Sequence, residues 1–218
     1  MADMNTASTE NGLEVVAKQL REARDRYAKR TAAYKLVGYD RPAAVRFIID
    51  QAEGISSPVL DVGSGQGLLA IELARRKFEV VSVDVSQEEQ LVAIMNADAE
   101  TLPGRITFLA TDAGRIPFPD GAFGAAVAMD VLHHLVDGPP VFAEMVRVVR
   151  PSGRILLAEF DRDGLALVAR VHQSEGREHP VGPITLASAV EWFMASGLRL
   201  ESRCEAYFHS IVVFSKPR

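Results

Sequence analysis

The stretch VLDVGSGQG, residues 59–67, constrains this chain more than any other. A short apolar run ends in an acid, Asp61, and glycines follow at alternate positions, Gly63, Gly65 and Gly67. An apolar run, a glycine turn and then a helical pattern read as strand, tight turn and helix. Glycines so spaced keep side chains away from something that approaches the backbone closely. A dinucleotide fingerprint needs G-x-G-x-x-G, but Leu68 stands where its third glycine belongs, and the spacing here is G-x-G-x-G. That disfavours a nicotinamide-dependent dehydrogenase. No Lys-Ser/Thr pair follows the loop, which removes the triphosphate-binding loop as well.

The same alternation continues along the chain. Apolar runs predict strands at 58–62, 79–84, 105–110, 124–130 and 153–160, and amphipathic stretches predict helices at 67–76, 87–97, 138–149 and 186–196. This order predicts βαβ units and a parallel sheet covered by helices on both faces. The runs 198–204 and 207–214 lie too close for a helical crossover, so they pair as an antiparallel hairpin at the sheet edge. The fold class is therefore α/β: a doubly wound, mostly parallel seven-stranded sheet with an antiparallel C-terminal hairpin strand. Ahead of it, residues 1–12 read as a frayed polar end, and 13–35 as a charged helix with Val16, Leu20 and Tyr27 at helical spacing. Pro42 opens a second helix, closed by Gly54. Two parts follow, an N-terminal helical segment at 1–40 and the main domain at 41–218. The segment HQSEGREHPVG reads as an irregular surface or lid loop.

Two further acids stand at predicted strand ends. Asp84, in VVSVDVS, is placed to accept hydrogen bonds from both hydroxyls of a ribose. Asp112, in LATDAG, can accept from an adenine amino group while the Ala113 amide faces a ring nitrogen. His133 and His134 follow the fourth strand and Glu159 ends the fifth, at the rim where a substrate arrives.

Charge and composition exclude several classes. A net charge of −5 over 218 residues offers no overall field for nucleic acid. With Cys204 the only cysteine, neither an internal disulfide nor a Cys-based zinc site can form. The N-terminus is polar and acidic, unlike a secretory signal, and nothing approaches the ~18 apolar residues of a membrane span. The expectation is a cytoplasmic protein without membrane span or nucleic-acid partner. A homo-oligomer is compatible with the sequence.

The order Asp61-x-Gly63-x-Gly65-x-Gly67, Asp84, Asp112, AMDVLHHL and RVVRPSGRILLAEF resembles the class I S-adenosylmethionine-dependent methyltransferases. The segments PFPDGAFGAAVAMDVLHHL and RVVRPSGRILLAEF are most similar to the small-molecule branch that includes the ubiquinone/menaquinone C-methyltransferases. The resemblance implies S-adenosyl-L-methionine as cofactor, with Gly63, Ser64, Gly65 and Gly67 against its amino-acid part and Asp61 anchoring the ammonium directly or through water. It implies Asp84 on the ribose, Asp112 and Ala113 on the adenine edge, Val85 and Ile116 on the adenine faces, and Met129 and Asp130 offering a carbonyl to the ammonium. The N-terminal segment, with Tyr27, Tyr34, Tyr39, Arg30 and Arg41, then closes over the cofactor. Gly124-Ala125-Ala126 departs from the family, which often has an acid or aromatic there; this touches strand packing rather than the cofactor.

The implied reaction is methyl transfer to an O, N, C or S atom of a small molecule. A hydroxyl or carbon acceptor requires a base, for which His133 or His134 are the first candidates and Glu159 the next. Neither the adjacent histidines nor the His172-Glu175-His179 set is expected to hold a metal. A binding-only subunit or sensor, with the substrate side blocked, is the rival from another class.

Overall fold

Apolar residues on both faces of short strands set the architecture. The computed structural model describes the backbone of residues 3–102 and 104–218, with side chains at Glu14 and from Lys18 onward in those ranges. Strands β1 (Val59–Val62), β2 (Val80–Asp84), β3 (Ile106–Ala110), β4 (Phe123–Met129), β5 (Val149–Phe160), β6 (Arg199–Ala206) and β7 (His209–Ser215) form one sheet of order β3-β2-β1-β4-β5-β7-β6. β1 to β5 run parallel, and β7 is antiparallel to both β5 and β6. The sheet order reverses between β1 and β4, where doubly wound folds open a crevice beyond the strand ends.

Leu60 and Val62 of β1 enter one core and Val59 the other; Ile155 and Leu157 of β5 oppose Leu156 and Ala158 in the same way. Burying each large aliphatic side chain contributes about 1.5–3 kcal/mol. Both sheet faces are thus apolar, which is why these strands read as unbroken runs rather than alternation.

Local chemistry starts the helices. Asp40 accepts from the Ala43 amide (3.0 Å) to cap α2 (Arg41–Asp50), and Ser86 accepts from the Glu89 amide (3.2 Å) to cap α4 (Gln87–Ala99). Thr185 and Ser188 form a capping box on α7 (Leu186–Ala195). Helix α3 (Leu68–Arg75) opens at Gly67, and α5 (Pro139–Val148) opens on a proline pair.

Two elements differ from the sequence expectation. Helix α1 (Asp3–Leu36) begins ten residues earlier than the predicted start at 13; the single Gly12 disfavours a helix by only about 1 kcal/mol and does not stop it. The region after β5, expected to be irregular, contains α6 (Arg162–Ser174). Its buried face is Leu167, Val168, Val171 and His172, but Gly164 in its first turn breaks the helical signal. A Cβ there would lie 2.5 Å from the Phe208 carbonyl oxygen, so the close approach of the β6–β7 turn requires the glycine. Asp161 accepts from the Gly164 amide (2.7 Å) and caps this helix. The β6–β7 turn itself holds Tyr207 (φ 52°) and Phe208 (φ 64°) in the left-handed region, at roughly 1–2 kcal/mol each. Their rings pack on Phe47 (5.4 Å between centroids) and Tyr39 (5.9 Å).

Candidate active site

One cavity of about 630 Å³ opens beyond β1, β2 and β4 and reaches under α1 and α6. The glycine turn forms its floor. The amides of Gly63 and Ser64 both donate to the Val83 carbonyl (2.9 and 3.0 Å), pinning the turn to β2. The three glycines turn out to have different causes. At Gly63 a Cβ would come 2.6 Å from Val131 Cγ2, and at Gly67, φ +84°, 2.9 Å from the Ala93 side chain. Only at Gly65, φ +45°, would it meet no protein atom within 4 Å. Gly63 and Gly65 line the cavity, whereas Gly67 does not. Protein packing therefore excludes side chains at Gly63 and Gly67, and the ligand space lies at Gly65.

This division is testable. Gly67→Val should lower thermal stability, by roughly 2 kcal/mol or more from overpacking and backbone strain. Gly65→Val should cost about 1 kcal/mol of fold stability yet abolish detectable cofactor binding. Thermal melts with and without S-adenosylhomocysteine separate the two, and equal ligand-induced stabilisation of parent and Gly65→Val would refute the assignment.

Asp84 ends β2 as predicted, lining the cavity and already engaged: Oδ2 accepts from the Gly65 amide and Oδ1 from the Ser86 amide, both at 2.8 Å. Asp112 lines the same side, its Oδ1 accepting from the Gly114 amide (2.8 Å), with Ala113 beside it. Val85 is exposed over the cavity. Ile116 corrects the sequence reading: it is 3% exposed in the core beneath α5 and does not line the cavity.

Asp61 also differs from a direct-contact role. It is 1% exposed and lies below the cavity lining, with Oδ2 2.6 Å from Ser82 Oγ and Oδ1 without a partner. Ser82 Oγ is in turn 2.7 Å from Ser64 Oγ, which reaches the cavity. Burial pushes the Asp61 carboxyl up to about 7, opposed by the Ser82 hydrogen bond and reinforced by the nearby Asp84 charge.

Across the cavity, the short 3₁₀ turn Leu132–His134 after β4 presents the two histidines differently. His133 is 2% exposed, and its Nδ1 lies 2.6 Å from Glu159 Oε1. The same carboxylate accepts from the Phe160 amide (2.9 Å) and the His133 amide (3.3 Å). With Nδ1–H donating to Glu159, His133 Nε2 carries the lone pair; it is buried at the cavity without a partner. His134 is exposed at the mouth, its ring centroid 4.0 Å from that of His133. Glu159 itself does not line the cavity.

Met129 and Asp130 line the cavity at the end of β4, Asp130 in the left-handed region at φ 56°. Its Oδ1 is 2.9 Å from Nε2 of His209, whose Nδ1 is 2.7 Å from the Tyr207 carbonyl. A carbonyl only accepts, so Nδ1 carries a proton. Burial would lower the His209 pKa, but Asp130 and the Tyr207 carbonyl outweigh it and hold the pKa above its ordinary value. The sequence reading missed His209; an inward histidine within HSIVVF was the available signal. Arg41 lines the cavity beneath the Tyr27 and Tyr34 rings (5.7 and 5.4 Å), and among the described residues no carboxylate forms an ion pair with it. No helix of the described residues is long and apolar enough to cross a membrane, and Cys204 is a free, half-buried strand residue.

The strand order and the glycine turn at the crevice define a Rossmann-like methyltransferase fold. An S-adenosylmethionine-dependent methyltransferase from Aquifex aeolicus superposes with a TM-score of 0.63 at 20% identity, over 88% of this chain and 97% of that one. Residues 60–157 match the family model described as a methyltransferase domain. Over these residues, a little under half of its length, the chain is similar to methyltransferases. It is 33% identical over 103 residues to 27-O-demethylrifamycin SV methyltransferase of Amycolatopsis mediterranei, covering 47% of this chain and 38% of that protein. It is 34% identical over 119 residues to the ubiquinone/menaquinone biosynthesis C-methyltransferase UbiE of Geobacter sulfurreducens, covering 52% and 46%. The chain spans half or less of the length of these relatives.

Proposed function

We propose that the protein transfers a methyl group from S-adenosylmethionine to a small-molecule acceptor whose reacting atom must shed a proton, with His133 as base and Glu159 behind it. One observation carries this reading: a single cavity is bounded on one side by Gly65, Asp84 and Asp112 and on the other by an imidazole nitrogen backed by a buried carboxylate. Relatives named for 27-O and for C methylation fit it, since hydroxyl and carbon nucleophiles both need deprotonation. The cavity extends from Gly65, Asp84 and Asp112 to His133 and His134, which favours the catalytic reading over a binding-only subunit.

The cavity fits the cofactor. S-adenosylmethionine, when bound, supplies a methyl group on a sulfonium. Asp84 holds the ribose hydroxyls, Asp112 and Ala113 the adenine edge, and Val85 an adenine face. Gly63, Ser64, Gly65, Met129 and Asp130 bound the amino-acid end, where Arg41 takes the carboxylate. Gly67 supports the turn through α3 and α4, and Asp61 answers the ammonium through Ser64 or water. Helix α1, within the 1–40 segment, covers the 41–218 domain and excludes water. His133 Nε2 receives the acceptor proton while Glu159 stabilises the resulting imidazolium. A cytoplasmic setting, with no nucleic-acid partner, accords with the net charge of −5. Saturable S-adenosylmethionine binding and release of S-adenosylhomocysteine with phenolic or β-dicarbonyl acceptors test the reading; a protein that does not bind the cofactor overturns it.

Asp61 supplies an independent check. Its folded value of about 7 exceeds the ordinary 3.8, so the folded chain binds the extra proton and loses this stability as pH rises from about 4 through 7. An ammonium held near it favours the carboxylate, so cofactor binding should release close to one proton at pH 6 and about half of one at pH 7. Calorimetry in buffers of different ionisation enthalpy measures this. Asp61→Asn should release none and should flatten the fall in stability.

A further inference from the structure

Beside the base, the cavity carries buried hydrogen-bonding capacity that neither the cofactor nor the base uses. His172 Nδ1 and His179 Nε2 are buried without partners. The two rings lie 4.8 Å apart between centroids, and His179 is 5.0 Å from His133. His172 comes from α6, His179 from the loop after it, and Tyr34, from α1, places its hydroxyl 3.3 Å from His172 Nε2. That contact fixes the His172 ring, and both His172 and His179 lie in the cavity wall. Buried polar atoms left unpaired are costly, and two such atoms on residues that line one cavity point to a ligand that pairs them.

The surroundings define the ligand's charge. Arg30 is held by Glu175 (2.9 Å), and Arg177 stands 3.6 Å from the same carboxylate. Both cations thus share one carboxylate, which offsets part of their charge beside the histidines. Burial pushes both imidazoles down to about 4, aided at His172 by Arg30 and Arg177 and at His179 chiefly by the neighbouring histidines, so the wall is uncharged near neutral pH. A neutral imidazole has one donor and one acceptor, and a hydroxyl can satisfy either. A hydrocarbon would leave both nitrogens unpaired. Among the described residues no three His, Cys, Asp or Glu side chains are grouped so as to hold one metal ion.

We propose that His172, fixed by Tyr34, and His179 beside it form the recognition wall for a neutral, oxygen-rich acceptor, one with a hydroxyl or carbonyl in addition to the group that is methylated. The proposal rests on the methyltransferase reading only for which group reacts; the wall is a property of the chain. It makes His172 and His179 specificity-determining residues, separate from the base.

The test compares phenol with pyrogallol as probes of the full chain loaded with S-adenosylhomocysteine. Pyrogallol should bind at least tenfold more tightly than phenol and shift the imidazole resonances of both His172 and His179. His172→Phe and His179→Leu should each remove most of that preference, while S-adenosylhomocysteine affinity changes less than twofold. His179→Gln, which keeps a hydrogen-bonding group, should restore part of it and guards against misfolding of the leucine variant. Equal affinities in the parent, or a preference that survives both apolar substitutions, overturns the proposal. So does saturable Zn²⁺ uptake that both substitutions abolish, which would make this a metal site. Failure to bind S-adenosylhomocysteine counts against the methyltransferase reading alone, and the same titration of the cofactor-free protein then decides the wall.

Discussion

Turnover with a hydroxyl or carbon acceptor falls by about 10²–10⁴ in a His133→Ala variant that still binds S-adenosylmethionine. The size follows from what the imidazole does. Its Nε2 is the unpaired nitrogen buried at the acceptor side, and the Nδ1 contact with Glu159 at 2.6 Å fixes both tautomer and ring orientation. Glu159→Gln should slow the reaction as well, because a side-chain amide can donate to Nδ1 and drive the proton to Nε2, where it blocks the base. His134→Ala should cost much less: this ring is exposed at the mouth, and no carboxylate among the described residues orients it. Single-turnover rates against pH, at saturating cofactor, separate the three. Parent-like rates in His133→Ala with such an acceptor would remove it as the base.

The second large effect belongs to Asp84→Ala, expected to weaken S-adenosylmethionine binding by more than the 1.5–3 kcal/mol of one hydrogen bond to a charged group. The carboxylate has two tasks. Besides the ribose, it receives the Gly65 and Ser86 amides at 2.8 Å, so its loss frees the turn that shapes the cavity floor. Asp84→Asn keeps one acceptor oxygen and should fall between parent and alanine variant. Titration calorimetry with S-adenosylmethionine and with adenosine distinguishes the two tasks: a pure ribose contact weakens both ligands equally, whereas a loosened turn penalises the longer ligand more. Unchanged affinity in Asp84→Ala would dismiss the assignment.

Much of this was legible in the sequence. Strands β1, β2 and β4 lie between helix-covered faces, so their apolar runs are continuous and their ends are marked by glycine or acid. The acids at 84 and 112 were readable for the same reason: a residue at the end of a parallel strand in this topology has few places to face except the crevice. The roles of the glycines were not separable, because the atoms that exclude a side chain at Gly63 and Gly67 belong to Val131 and Ala93, from other parts of the chain. His133 and Glu159 could be named singly, but their pairing depends on β4 and β5 being neighbours, with Met129 opposite Ala158. Ile116 misled because an apolar residue two positions beyond a strand-end turn suits a ligand face and a core equally well. Helix α6, and with it the wall of His172, was hidden by a glycine that serves a neighbour rather than its own helix.

The last strand in the chain is an interior strand of the sheet. β7 lies between β5 and β6, so during synthesis β5 keeps an open edge until residues 209–215 emerge. Its alternating partners, Ile211 to Phe214, then complete both cores at once. The same late arrival brings His209 to Asp130. A nascent chain can therefore assemble β1 to β4 and the glycine turn while still lacking the imidazole that contacts the cavity's Asp130. Until β7 emerges it exposes an apolar strand edge, the kind of surface that recruits chaperones or a second copy of itself. Shortening the chain by its last hairpin strand would leave that transient state as the end product.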